Sequence, residues 1–189
     1  MVSANISALE AGYDATKGKV EFPSVSPIES EKRMVLTGND AISLGAIKAG
    51  MKFYAAYPMT PASSILHNMA AHARSKSFIV KHTEDELAAM NMVIGASFTG
   101  ARSMVATSGG GFALMTEALG NAGISEVPLV AVEAQRGGPS TGIPTWTSQA
   151  DLKFVVNASQ GEFPRIVLAP GDVEDAFFLT HEAFNLADR

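Results

Sequence analysis

From Met34 onward, short apolar runs alternate with longer stretches of helical periodicity, and glycine or proline punctuates the junctions. The runs at 34–36, 52–56, 78–81, 103–106, 129–133 and 165–168 have the length and near-continuous apolar character of parallel strands buried on both faces. Periodicity predicts helices over 40–49, 62–74, 84–98, 112–122, 148–156 and 173–187, with Gly50 and Gly100 just past two helix ends. Joined by right-handed crossovers, these elements give an α/β fold: a doubly wound, mainly parallel sheet of about six strands with helices on both faces. Residues 1–33 differ, with isolated apolar positions among Lys, Glu, Ser and Pro, and the two prolines of Phe22-Pro23-Ser24-Val25-Ser26-Pro27 bar a helix there. The reading is an extended arm or linker over 1–33 and one folded domain over 34–189.

In open α/β sheets, ligands bind beyond the carboxyl ends of the strands. The unusual segments of this chain, at 57–61, 82–86, 107–111 and 135–147, all follow expected strands, so the rim they share is the candidate site. In Tyr57-Pro58-Met59-Thr60-Pro61, two prolines stiffen a loop around a hydroxyl. Thr60 is a candidate site residue, although local sequence alone favours a plain N-cap with Pro61 in the first helical position. Thr83-Glu84-Asp85-Glu86 opens a helix that is apolar nearly all round, and Glu86 shares a face with Ala89, Met90 and Val93, where an unpartnered carboxylate is costly. A capping box between Thr83 and Glu86 is the structural alternative.

The run Thr107-Ser108-Gly109-Gly110-Gly111-Phe112 lets a backbone approach a ligand closely and aims N–H groups at it, although a tight strand-to-helix turn explains it as well. It has the spacing of neither a P-loop nor a dinucleotide fingerprint. The segment from Gln135 to Thr147 is long for a strand-to-helix loop and dense in glycine, proline and hydroxyls. Arg136 is its one cation, suited to grip a carboxylate with two parallel hydrogen bonds, or else to bridge to an acid across the rim.

Composition narrows the chemistry. At 189 residues and 47% hydrophobic the chain can bury a core, and a net charge of −5 with scattered cations argues against nucleic acid. With no cysteine, an iron–sulfur cluster ligated by thiolates would have to sit on another polypeptide. His67, His72, His82 and His181 have no metal-ligand spacing, no metal site is expected, and no nucleophile elbow occurs. The absence of a signal-like N-terminus and of a long apolar run points to a cytoplasmic chain with no membrane contact.

Taken together, segments 57–61, 83–95 and 135–152, with Gly161-Glu162-Phe163-Pro164-Arg165 and the final helix, resemble the α subunits of 2-oxoacid:ferredoxin oxidoreductases, in their pyrimidine-binding domain. The resemblance runs from about Met34 to Arg189. It implies a thiamine diphosphate site shared with a β subunit that carries the diphosphate-binding domain and the Mg²⁺ ligands, with an iron–sulfur cluster also on partner chains. Glu86 aligns with the glutamate that hydrogen-bonds the aminopyrimidine, and Tyr57, Ser108, Gly109 and Gly110 fall at the cofactor. By the same resemblance Thr60, Arg136 and Thr145 line the substrate pocket, and Glu86, Thr60 and Arg136 form the catalytic set.

The implied reaction is CoA-dependent oxidative decarboxylation of a 2-oxoacid to acyl-CoA and CO₂, with electrons passed to ferredoxin. The wording of the motifs favours 2-oxoglutarate. Such α subunits continue into further domains, so the chain is read as a fragment or an unusually divided subunit, inactive alone, with further α or γ domains as partners; the arm 1–33 resembles the junction to an upstream γ-type domain. The competing readings are a component of another thiamine diphosphate enzyme class, such as a transketolase-like one, and a non-catalytic assembly or regulatory domain of the same fold.

Overall fold

The computed structural model describes residues 2–19, 26, 31–146 and 148–189. The chain separates into two compact units, Met1–Met34 and Val35–Arg189. The first holds helix α1 over Val2–Thr16, whose residues are all solvent-exposed. The extended arm expected for 1–33 is thus helical in this part. The expectation rested on Pro23 and Pro27, which lie outside the described residues, as does the rest of 22–27 apart from Ser26. Nothing in Val2–Thr16 breaks a helix, and Val2, Ile6, Leu9 and Tyr13 recur at helical spacing.

The second unit runs α2 (Gly38–Lys48), β1 (Phe53–Ala56), α3 (Ser63–Lys76), β2 (Ile79–His82), α4 (Glu86–Phe98), β3 (Ser103–Thr107), α5 (Gly109–Ile124), β4 (Val130–Glu133), α6 (Leu152–Asn157) and α7 (Val173–Ala187). Its strands form one parallel sheet in the order β2-β1-β3-β4. Four strands replace the expected six. Residues 34–36 and 165–168 join no ladder among the described residues, and Val35 is 99% and Ile166 61% exposed. An apolar run becomes a strand only where a neighbour takes its hydrogen bonds, and the described sheet ends at β2 and β4. The helix expected over 148–156 is also shorter, because Ser148, Gln149 and Ala150 are irregular.

Alternation along the strands divides the core into two layers. Tyr54, Ala56, Met104, Ala106 and Val130 pack with α2, α3 and α7 through Ala46, Ile65, Met69 and Phe184. Ala55 and Val105 point the other way, onto Ala89, Met90 and Val93 of α4 and Met115, Ala118 and Ala122 of α5. Although α4 is apolar nearly all round, only one side of it is buried, and Leu87 and Met92 stand exposed. Gly50 and Gly100 follow their helices with φ of +81° and +89°, the left-handed turn that glycine makes without strain.

The strand order decides where a site can form. From β1 the chain steps outward to β2, then returns to the other side of β1 for β3 and continues outward to β4, so the direction reverses between β1 and β3. The loops leaving the carboxyl ends of β1 and β3 therefore diverge above a crevice. At the opposite end of the sheet, Arg102 just before β3 reaches Asp188 at 2.7 Å and the Ala49 carbonyl at 2.6 Å, tying the ends of α7 and α2 together away from that crevice.

Candidate active site

The two loops flanking the crevice meet: the Thr107 hydroxyl at the end of β3 lies 3.8 Å from the Met59 sulfur in the loop after β1. Thr60 belongs to the turn before α3, whose N-cap is Ala62, and it makes no capping bond, so the N-cap alternative for Thr60 does not hold. What the fold uses at Thr60 is its carbonyl, which accepts a hydrogen bond of 2.8 Å from Nη1 of Arg136, 76 residues away. Tyr57, at 39% exposure, stands on the same rim.

Glu86 is the first residue of α4 and is 3% exposed. The expected capping box with Thr83 does not form. Asp85 is the N-cap instead, its Oδ1 accepting the Ala88 N–H at 2.7 Å, while the Thr83 hydroxyl donates to the Asp85 carbonyl at 2.9 Å. Relieved of capping, the Glu86 side chain turns inward, and its Oε1 is buried without a hydrogen-bond partner. Burial pushes the carboxyl above the usual range and neighbouring Asp85 adds to the shift, while Glu86's own backbone N–H and the Arg136 guanidinium oppose it.

The glycine-rich run forms the wall opposite Glu86. Ser108 is the N-cap of α5 yet makes no side-chain capping bond, and its Oγ is fully buried and unpartnered. Gly111 faces Glu86 so closely that a Cβ there would lie 2.6 Å from Oε1 and 2.8 Å from Cγ. Gly109 is backed just as closely by Asp151, whose Cγ would be 2.6 Å from an added Cβ. Two of these glycines are thus required by side chains packed against the first turn of α5, Asp151 at Gly109 and the Thr107 hydroxyl with Glu86 at Gly111, a reason beyond that of a tight turn.

The segment that begins at Gln135 folds back on itself through an antiparallel bridge between Gly137 and Ile143. Its Arg136 is 8% exposed; no ion pair to an acid forms among the described residues, and Nε is buried without a partner. The acid-bridge alternative for Arg136 is therefore not realised. A cleft of about 230 Å³ lies between this segment and α5, lined by Gly109, Gly110, Arg136, Gly137, Ser140 and Asp151 among others. Thr145 is exposed and is not hydrogen-bonded to the cluster, and Thr147 lies outside the described residues.

The structure thus brings together Glu86, the Thr60 carbonyl, Arg136 and residues 108–110, and leaves Tyr57 and Thr145 at the margin. The sequence reading missed Glu133 and Asp151. The available signals were an acid ending a buried parallel strand and an acid just before α6. Among the described residues no group of His, Cys, Asp and Glu could hold a metal ion, and no helix is long and apolar enough to cross a membrane.

Unpartnered buried donors and acceptors facing one crevice are what a site for a polar heterocycle and an anion requires. Residues 44–189 match the family model described as pyruvate flavodoxin/ferredoxin oxidoreductase, thiamine diphosphate-binding. The chain is 49% identical over 168 residues to 2-oxoacid:ferredoxin oxidoreductase 1, subunit alpha, of Aeropyrum pernix, covering 85% of this chain and 26% of that protein. It is 48% identical over 155 residues to 2-oxoglutarate synthase subunit KorA of Archaeoglobus fulgidus, covering 82% and 45% respectively. A solved 2-oxoglutarate:ferredoxin oxidoreductase from Magnetococcus marinus, with 2-oxoglutarate, coenzyme A and succinyl-CoA bound, superposes with a TM-score of 0.85 at 41% identity, covering 97% of this chain and 32% of that one. The chain spans between about a quarter and a half of the length of these relatives. On the matched domain and these identities, the chain belongs to the pyruvate flavodoxin/ferredoxin oxidoreductase family, in its thiamine diphosphate-binding domain.

Proposed function

We propose that this chain forms the pyrimidine side of a thiamine diphosphate site in a 2-oxoacid:ferredoxin oxidoreductase, with 2-oxoglutarate as the favoured substrate and CoA as acyl acceptor. The observation that carries this reading is the buried, partnerless Oε1 of Glu86, left free by the Asp85 cap of α4 and directly across from Gly111. An aminopyrimidine fits such a position, because it offers both a ring nitrogen and an exocyclic amine to groups that the protein leaves unpaired. Ser108 Oγ and the exposed backbone at Gly110 add polar groups on the same wall. When bound, thiamine diphosphate supplies the carbon nucleophile that attacks the 2-oxo group and holds the electrons left by departing CO₂.

The residues of this chain do the rest by position. Glu86 holds a proton at a site shielded from water, where burial favours the neutral carboxyl and nearby Arg136 restrains that preference. Arg136 is fixed through Nη1 by the Thr60 carbonyl, which leaves its Nε side for the carboxylate that every 2-oxoacid carries. Thr60 thereby sets the orientation of the guanidinium through its backbone, alongside any contact of its hydroxyl with substrate. Thr145 and Tyr57 complete the pocket from its margin. The diphosphate, its Mg²⁺, the iron–sulfur cluster and the ferredoxin contact fall to a β subunit and further α or γ domains, in a cytoplasmic hetero-oligomer.

The test is Arg136→Ala and Arg136→Lys in the assembled enzyme, assayed with 2-oxoglutarate and pyruvate. Loss of a bidentate charge-assisted contact costs on the order of 1.5–3 kcal/mol, so kcat/KM falls roughly tenfold to a hundredfold for Ala, with partial recovery for Lys. Both substrates suffer alike, because they share the carboxylate, while exchange of the cofactor C2 proton persists. Loss of only one substrate, or collapse of exchange, overturns the assignment of Arg136.

A further inference from the structure

Glu133 is the last residue of β4, two positions before the long loop begins, and Asp151 follows that loop just before α6. Neither belongs to the cofactor and substrate set above. Glu133 pairs in register with Thr107 on β3, so its side chain stands beside the entry to residues 108–110. Asp151 comes to the same point from the other side, packed on Gly109 where no Cβ could be tolerated, at a backbone φ of +27° that an aspartate seldom adopts. Phe154 of α6 meets Phe112 of α5 edge-on at 5.5 Å and holds the segment there. Each end of the Arg136 loop therefore places a carboxyl side chain at the first turn of α5.

We propose that Glu133 and Asp151 act as a positioning pair, one shared proton closing the base of the loop that carries Arg136. Two ionised carboxylates have no hydrogen to offer one another, and Glu133 Oε1 is indeed buried without a donor. A single proton supplies the missing donor and removes the repulsion. The titratable group facing Glu133 is Asp151, and α5 presents the Gly109 N–H. Burial foremost, then the charge of Asp151 and a hydrogen bond with it, raise the Glu133 carboxyl from 4.5 to about 7, and the Gly109 N–H opposes the shift.

The sign follows directly. A raised carboxyl pKa means that the folded state holds a proton the unfolded chain has lost, so the contribution of the pair diminishes as pH rises from about 4.5 towards 7 and the loop base is open above that window. The role of the pair in substrate use rests on the proposed reading of Arg136; its role in closing the loop does not. Glu133→Gln and Asp151→Asn each place a permanent amide donor opposite the remaining carboxylate and so close the loop without a proton.

The experiment is peptide-resolved hydrogen exchange over residues 135–149 in the assembled enzyme, at about pH 6 and about pH 8.5, comparing variants with the wild type at equal pH so that intrinsic exchange cancels. The wild type and Glu133→Gln should match at the lower pH, and at the higher pH the wild-type loop should exchange about tenfold faster while the variant stays protected. Asp151→Asn should reproduce Glu133→Gln, which guards against a folding defect in either one. In parallel, KM for the 2-oxoacid should rise with pH in the wild type and not in Glu133→Gln, with kcat little changed. Equal loop exchange in wild type and both variants at both pH values overturns the proposal. Protected, pH-insensitive loops in the variants in an enzyme that turns over no 2-oxoacid would uphold the pair and overturn the functional reading instead.

Discussion

Glu86→Gln slows exchange of the thiamine C2 proton by about a hundredfold or more in the assembled enzyme, while the melting temperature stays close to that of the wild type. The carboxyl is buried, so an amide of the same shape preserves packing. It also preserves the cap of α4, because Asp85 makes that bond. What the amide cannot do is hold and release a proton at Oε1, the role proposed for a carboxyl that burial raises and the Arg136 charge restrains. Proton exchange is followed by quenched NMR in deuterated buffer, and folding by thermal denaturation. Unchanged exchange with unchanged stability would make Glu86 a buried acid without part in the chemistry.

How far the sequence revealed this arrangement depends on the distance over which each residue finds its partner. The α/β alternation and the four strands from 53 to 133 were legible, because a buried parallel strand carries its own apolar signature. Residues 165–168 carry the same signature and pair with nothing described, since pairing is a property of the neighbour as much as of the run. Thr83-Glu84-Asp85-Glu86 reads locally as a capping box between Thr83 and Glu86, whereas the N-cap of α4 is Asp85. That cap frees Glu86 for the crevice. Arg136 could be singled out as the lone cation of its loop, but its anchor is a backbone carbonyl 76 residues away, which leaves no mark in side-chain chemistry. The Glu133 and Asp151 pair was invisible for the same reason, since each acid alone looks like a strand end or a helix start.

Gly111→Ala should reproduce much of the Glu86→Gln defect without touching the carboxylate chemically. An added Cβ meets the Thr107 hydroxyl most closely and then Glu86 Oε1 at 2.6 Å. Glu86 is 3% and Thr107 1% exposed, so neither can swing into solvent to make room. Overpacking of this kind costs roughly 1–3 kcal/mol, against which alanine returns up to about 1 kcal/mol of helix propensity in the first turn of α5. Gly95→Ala in α4 is the matched control: nothing lies within 4 Å of its added Cβ, so only the propensity gain remains and the melting temperature should rise. In Gly111→Ala the melting temperature should fall and C2 proton exchange should slow by roughly tenfold to a hundredfold, because the carboxyl is pushed from its position. The double variant Gly111→Ala with Glu86→Gln separates a shared site from two independent injuries. If Gly111 acts by leaving room for Glu86, its substitution adds little to the exchange defect once the carboxylate is gone; effects that multiply in full would show that the two residues act separately.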